Sequence, residues 1–294
     1  MWMNWVRQFS GSCLAAAVMF CGVAGESRAD GDYLVEAMGN VLNAANTLES
    51  LSAFGYDADG GVCILGAFIE PGATATLRRD FRMDRNYAIL AGGDSDAQDI
   101  DIRVLDSFGR QVTEDTAADA CPAVTFRPRS AAVHEVRVSL PRASRASFVF
   151  VALMREGGYR VPENNQIVAA GSLLVRARAC SELAPNRNAR MLATNNNWAV
   201  YGCLLAGGQK MTIDNISLGH GQRVVVTGSD ANDSDLDLYL KDNYSDRTRE
   251  KDDAADSEPV VATIAGGGLS RLQLENARSN GAATFSLMGI VELD

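Results

Sequence analysis

The feature that most constrains this chain is that it repeats itself. Asn86 to Asp106 reads NYAILAGGDSDAQDIDIRVLD, and Gln222 to Asp242 reads QRVVVTGSDANDSDLDLYLKD. Each is an alternating apolar stretch, a glycine, a polar turn, and then Asp-apolar-Asp-apolar-x-apolar-x-Asp. Asp99, Asp101 and Asp106 match Asp235, Asp237 and Asp242 at a constant offset. The match continues through Ala117-Ala118-Asp119 and Pro122 against Ala254-Ala255-Asp256 and Pro259, and through Val136 and Val138 against Leu272 and Leu274. The closing stretches end at Glu156 and Glu292, and upstream VCILGA from Val62 resembles GCLLAG from Gly202. A self-match of this length predicts two copies of one structural unit.

Within each copy the period is two. Ile100, Ile102 and Val104 fall on one side of a strand, with Asp99, Asp101 and Arg103 on the other. Leu236, Leu238 and Leu240 alternate in the same way with Asp235, Asp237 and Tyr239. Such half-buried strands belong to antiparallel sheets packed face to face. Turn signals separate them at Gly92-Gly93, Ser107-Phe108-Gly109 and Gly266-Gly267-Gly268. The predicted fold is mostly β, with two tandem antiparallel β-sandwich, jelly-roll-like modules, each led by a helix. Leu34, Met38, Val41, Ala45 and Leu48 make one apolar stripe on a helix over 33–54; Ile167, Ala170, Leu174 and Ala177 make a weaker one over 163–180. Each helix is expected to pack on its own sandwich or on the other helix, the alternative being a partner-binding or dimerising helix. Gly157 to Glu163 interrupts the periodicity, which divides the chain into 30–160 and 161–294.

Residues 1–29 read as a signal peptide. Arg7 supplies the positive start, Cys13 to Ala24 the apolar run, and Ser27-Arg28-Ala29 the small residues before cleavage, with Ala24 as a second cleavage point. The run is too short for a ~20-residue spanning helix, so no membrane span is expected after cleavage, and the mature protein is expected to be periplasmic or secreted. A net charge of -10 argues against a nucleic-acid partner, because phosphate neutralisation needs clustered Lys and Arg. Cys63, Cys121, Cys180 and Cys203 then stand in an oxidising compartment, where disulfides persist. Four cysteines allow three pairings. Pairing within a copy, Cys63–Cys121 and Cys180–Cys203, is the simplest.

The acidic clusters are the most informative local chemistry. Asp94, Asp96, Asp99 and Asp101 crowd together, as do Asp230, Asp233, Asp235 and Asp237, with Asp252 and Asp253 in the later loop of the second copy. Carboxylates this close repel unless compensated. Ca²⁺, which takes 6 to 8 oxygen ligands, is the natural compensator. The competing expectation is that these Asp residues cap turns through the backbone and otherwise face water. Neither cluster has EF-hand spacing.

These strands, the Asp-rich loops after them (Glu114, Asp115 and Asp119; Asp252, Asp253 and Asp256) and the two closing strands resemble the bacterial pre-peptidase C-terminal domain. The resemblance covers Asn86 to Glu156 and Gln222 to Glu292 and is better in the second copy. The Gly-x-Tyr approach to the penultimate strand is missing from both. It implies non-catalytic β-sandwiches, some of which bind Ca²⁺ or help bind substrate, with the Asp positions just named facing the ion.

Enzyme signatures are absent. His134 and His220 stand at non-equivalent places, with no HExxH, GxSxG, SxxK or Walker loop around them. The expectation is an exported, non-catalytic binding or scaffolding protein whose partner is a protein or polysaccharide of the cell envelope or exterior. The alternative is a hydrolase with its active site between the two modules, which would require a deep polar cleft there.

Overall fold

A computed structural model describes residues 32–183, 189–193, 198–230, 234–279 and 283–293; the segment read as a signal peptide lies outside them. The first module runs α1 (Asp32–Leu51), β1 (Phe54–Tyr56), β2 (Val62–Ile69), β3 (Thr74–Phe81), β4 (Tyr87–Gly93), β5 (Ala97–Leu105), β6 (Gln111–Asp115), β7 (Ala123–Phe126), β8 (Ala132–Ala143) and β9 (Ser147–Glu156). The second runs α2 (Glu163–Leu183), β10 (Ala189–Met191), β11 (Val200–Leu205), β12 (Lys210–Ser217), β13 (His220–Ser229), β14 (Asp235–Asp242), β15 (Thr248–Asp252), β16 (Val260–Gly266), β17 (Leu269–Arg278) and β18 (Thr284–Leu293). The chain is mostly β, in antiparallel sheets. No helix among the described residues is long and apolar enough to cross a membrane.

The two modules have one strand order. The first builds β2-β9-β4-β7 in one layer and β3-β8-β5-β6 in the other; the second builds β11-β18-β13-β16 and β12-β17-β14-β15. Each strand thus has its repeat counterpart in the same place. The modules do not hang as separate beads. β2 pairs antiparallel with β11, Leu65 opposite Tyr201 and Ile64 opposite Gly202, which fuses the two larger layers into one ten-stranded sheet. This pairing removes the exposed edge that each layer would otherwise present for aggregation.

The alternating strands bury the side expected. Ile100, Ile102, Val104, Leu236, Leu238 and Leu240 are all fully buried between layers. Each such side chain contributes about 1.5–3 kcal/mol on burial. α1 and α2 cover the opposite face of the large sheet, each on its own module: α1 against β4 and β9, α2 against β13 and β18. In α1 Leu34, Met38, Val41 and Ala45 of the expected stripe are buried, Leu48 is half-buried, and Ala37 and Leu42 beside them are also buried. In α2 the expected stripe is off by one position. Ile167 is half exposed, and Gln166, Ala169 and Leu173 face the sheet instead.

The reason for the shift is backbone approach. A Cβ on Gly228 would collide with the Leu173 N and Ala169 O of α2, and one on Gly92 would sit 2.9 Å from the Val41 N of α1. The repeated glycines therefore let a helix lie directly on each sheet, and in α2 small Ala169 takes the contact. Gln166 is buried because its amide is used: it accepts from the Tyr56 hydroxyl and donates to the Val161 carbonyl and to Asn46. Gly92-Gly93, read as a turn, instead ends β4 inside the sheet.

Candidate functional site

Most of the repeated carboxylates hold the frame. Asp94 accepts the Phe148 N–H (2.8 Å) and the Asp96 N–H (3.1 Å), and its counterpart Asp230 accepts the Phe285 N–H (3.0 Å) and the Asn165 amide (2.8 Å). Both thereby fasten the start of the last strand to the end of β4 or β13. Burial raises both carboxyls, and the N–H bonds offset part of that rise. Asp115 takes the Ala117 and Ala123 N–H groups, as Asp252 takes those of Ala254 and Val260. Asp119 accepts from Cys121 N and Asp256 from Glu258 N. A carboxylate spent on backbone donors in this way has its lone pairs turned inward, away from a solvent ion.

The remaining candidate ligands are scattered. Asp96 pairs with Arg145 and accepts the Ser144 hydroxyl. Asp253 pairs with Lys251. Asp101 lies 3.7 Å from Arg103, which also binds Glu114 at 3.0 Å, and Asp237 accepts the Tyr239 hydroxyl at 3.1 Å. Burial raises Asp101 and Asp237. One buried oxygen each of Asp99 and Asp235 has no hydrogen-bond partner. Asp233 lies outside the described residues. Among the described residues no group of three or more Asp, Glu, His or Cys is arranged to hold a metal ion.

Neither expected disulfide fits: Cys63, Cys180 and Cys203 carry free thiols, and Cys121 is not bridged to Cys63. β2, β9, β4 and β7 lie side by side in that order. Cys121, just before β7, is therefore three strands from Cys63, about 14 Å at ~4.8 Å per strand, where a bridge needs Cα atoms within about 7 Å. Cys180 sits on α2, its thiol donating to the Arg176 carbonyl. Val200 pairs with Gly289, which faces Leu173 of α2, so alternation along β11 turns Cys203 to the other face. The sheet separates the second pair.

The histidines are far from any shared centre. His134 is buried beside Phe81 and Phe126, with Nδ1 on the Ala132 carbonyl. His220 begins β13 beside Gly267. At the junction of the two modules β2 and β11 are paired.

What the repeat does expose is aromatic. Phe108 is 80% exposed and its counterpart Tyr244 is 82% exposed, each at the tip of the turn between the last edge strand of a small sheet and its neighbour. The turns are built alike. Asp106 Oδ1 accepts the Phe108 N–H at 2.9 Å, and Asp242 Oδ1 accepts the Tyr244 N–H at 3.1 Å. The left-handed position is Gly109 in one and Asp246 in the other. After it comes Arg110 or Arg247. Arg110 is bound to Asp106 at 2.8 Å and its guanidinium stands 5.0 Å over the Phe108 ring. In the second module Ser245 supplies further donors to Asp242, through its N–H and hydroxyl. Arg247 instead lines an open cleft of about 560 Å³ with Thr248, Arg249, Glu250, Thr263 and Ile264, where the edge strands β15 and β16 part. Sequence reasoning took Ser107-Phe108-Gly109 only as a turn. The available signal was a large aromatic held at the same turn position in both copies.

No protein-family model matches the chain, and no curated protein matches it. Solved structures do align with it. One is the M60 catalytic domain with the CBM51-1 and CBM51-2 domains from Clostridium perfringens ZmpB, at 9% identity and TM-score 0.25, over 83% of this chain and 37% of that one. A second is the PBSX exported protein XepA, at 10% identity and TM-score 0.27, over 79% and 87%. A third is the N-terminal CBM22-1-CBM22-2 tandem domain from Paenibacillus barcinonensis Xyn10C, at 8% and 0.20, over 79% and 98%. The chain thus spans little more than a third of the first of these structures, and likenesses at such scores carry no argument about what it binds or does.

Proposed function

We propose that this chain is an exported, non-catalytic protein that binds a polysaccharide of the cell envelope or exterior through the two aromatic turn tips. The observation that carries the reading is the recurrence of an exposed ring at Phe108 and Tyr244. A turn held by an Asp cap needs no aromatic at its tip, and an exposed ring there contributes nothing to the core. A flat ring offers its face to the C–H groups of a sugar, and the hydroxyl of Tyr244 adds a hydrogen-bonding edge. The Arg247 and Arg249 side chains in the adjoining cleft offer donors in a planar fork to hydroxyl or carboxylate groups. Two equivalent sites on one rigid double sandwich suit a ligand that itself repeats, because the second contact then becomes intramolecular. The resemblance to pre-peptidase C-terminal domains accords with a binding role that needs no catalytic centre.

The test is pull-down and calorimetry against purified polysaccharides: peptidoglycan, lipopolysaccharide, a uronic-acid polymer, and neutral plant and bacterial glucans. Wild type should bind at least one of them. Phe108→Ala and Tyr244→Ala should each weaken binding about 5-fold, and the double variant about 25-fold, since avidity multiplies single-site affinities. Unchanged binding in the double variant would move the site elsewhere. Binding to an envelope protein and to no glycan would replace the ligand class.

A further inference from the structure

We infer that Cys63 and Cys203 form a disulfide that staples the two modules across the central strand pair of the ten-stranded sheet. The inference starts from symmetry. β2 and β11 occupy the same place in the repeat and pair with each other. In a self-complementary contact, residue i of one copy meets j of the other and j meets i. Only the residue on the axis meets its own counterpart. Aligning VCILGA with GCLLAG sets Cys63 against Cys203, and the register brings both to that point. Ile64 lies opposite Gly202 and Val62 opposite Cys203, with the pairing shifted by one residue between Gly202 and Cys203. Cys63 falls in that step, next to Cys203. Val62 is the residue paired with Cys203, and Cys63 is its neighbour in the step on the adjacent strand about 4.8 Å away, a spacing that the ~4.4–6.8 Å Cα span of a disulfide can bridge. Both thiols are fully buried, and a charge on Cys63 is felt at Cys203. The two other cysteines are out of reach for the reasons given above.

The chemistry is an exchange. The two thiols lose two protons and two electrons as the S–S bond forms. The electrons and protons pass to an external disulfide: an oxidised thiol–disulfide catalyst of an export compartment, which leaves as its dithiol, or oxidised glutathione in the tube, which leaves as two glutathione thiols. Burial pushes Cys63 up to about 12 and raises Cys203 well above its usual value, so neither is a nucleophile once folded. Oxidation therefore belongs to folding, before β11 closes on β2.

The experiment refolds the full chain from denaturant in a reduced/oxidised glutathione couple, alkylates it, and maps peptides without reduction. The expected result is the Cys63 peptide joined to the Cys203 peptide and lighter by two hydrogens, with Cys121 and Cys180 alkylated. Oxidised protein should melt roughly 5–10 °C above reduced protein, because the bridge closes a very long loop of the unfolded chain. Cys63→Ala plus Cys203→Ala should abolish that difference. Should the double variant fail to fold, the oxidised and reduced wild type still make the comparison. Two alkylated thiols at 63 and 203 after oxidative refolding, a bond from either to Cys121 or Cys180, or equal melting of oxidised and reduced protein would each overturn the inference.

Discussion

The two modules share a frame and differ in what is attached to it. In both, the same Asp positions fasten the last strand and the turns, and a glycine lets a helix lie on the sheet. The first module adds a buried ion network at its base. Asp57 joins Arg79 at 2.7 Å and Arg155 at 3.1 Å, and Asp59 joins Arg155 at 3.0 Å and Arg85 at 2.8 Å. The second has a smaller arrangement around Glu292, with buried Arg223 at 3.4 Å and half-exposed Arg190. At the turn tips the order reverses. Arg110 is tied to its own turn, whereas Arg247 is turned to a cleft. Shared residues therefore mark what the fold requires, and unshared ones mark where the copies have diverged, toward rigidity in the first and toward an open surface in the second.

The largest test of that contrast is at the ion pairs. Asp57→Ala should cost about 2–4 kcal/mol, because it removes the one carboxylate shared by two buried guanidiniums, leaving Arg79 with the Val62 and Asp57 carbonyls and Arg155 with Asp59 and the Gly157 carbonyl. Glu292→Ala should cost about 1–2 kcal/mol, since Arg223 keeps the Leu218, His220 and Gln222 carbonyls as acceptors. Denaturant midpoints at constant slope measure both. Equal losses would mean that the modules lean on their ion pairs alike.

Next comes pH. Burial lifts the Glu49 carboxyl of α1 from 4.5 to about 7, against the Arg160 charge and the Val161 N–H that pull it down. A carboxyl raised on folding stabilises below its unfolded value and loses that contribution as pH climbs through the folded one. Wild type should therefore lose stability between about pH 4.5 and 7 relative to Glu49→Gln. Above pH 7 the variant should be the more stable by roughly 2 kcal/mol. Parallel pH profiles for the two proteins would remove Glu49 as the source.

Calcium should have the smallest effect. With the loop carboxylates held by backbone N–H groups and by Lys251 and Arg145, millimolar Ca²⁺ should raise the melting temperature by less than about 2 °C over EDTA. A larger shift that disappears in Asp235→Ala plus Asp237→Ala would sharpen the contrast. It would mean that the second module holds an ion that the first does not.

Periodicity and self-similarity were enough for the architecture. Alternation at Ile100–Val104 and Leu236–Leu240 is local, since a half-buried strand imposes it on consecutive residues, and the common strand order follows from the repeat. The α1 stripe was legible for the same reason. The α2 stripe was not, because its inward face is set by a glycine on another strand and by the buried hydrogen bonds of Gln166. The acidic clusters looked like ligand sets because a sequence shows how close carboxylates are along the chain and not which N–H groups they meet. Asp94 and Phe148 come together only through the pairing of β4 with β9. The cysteine pairing failed on the same ground, since counting cysteines within a copy could not show that β2 closes on β11. By itself, then, the sequence determined two copies of one antiparallel module with leading helices, all consequences of short-range periodicity. Only the tertiary structure decided that the copies share a sheet, that most of the acids are caps, and which side chains are left facing outward, because each of these depends on contacts between residues remote along the chain.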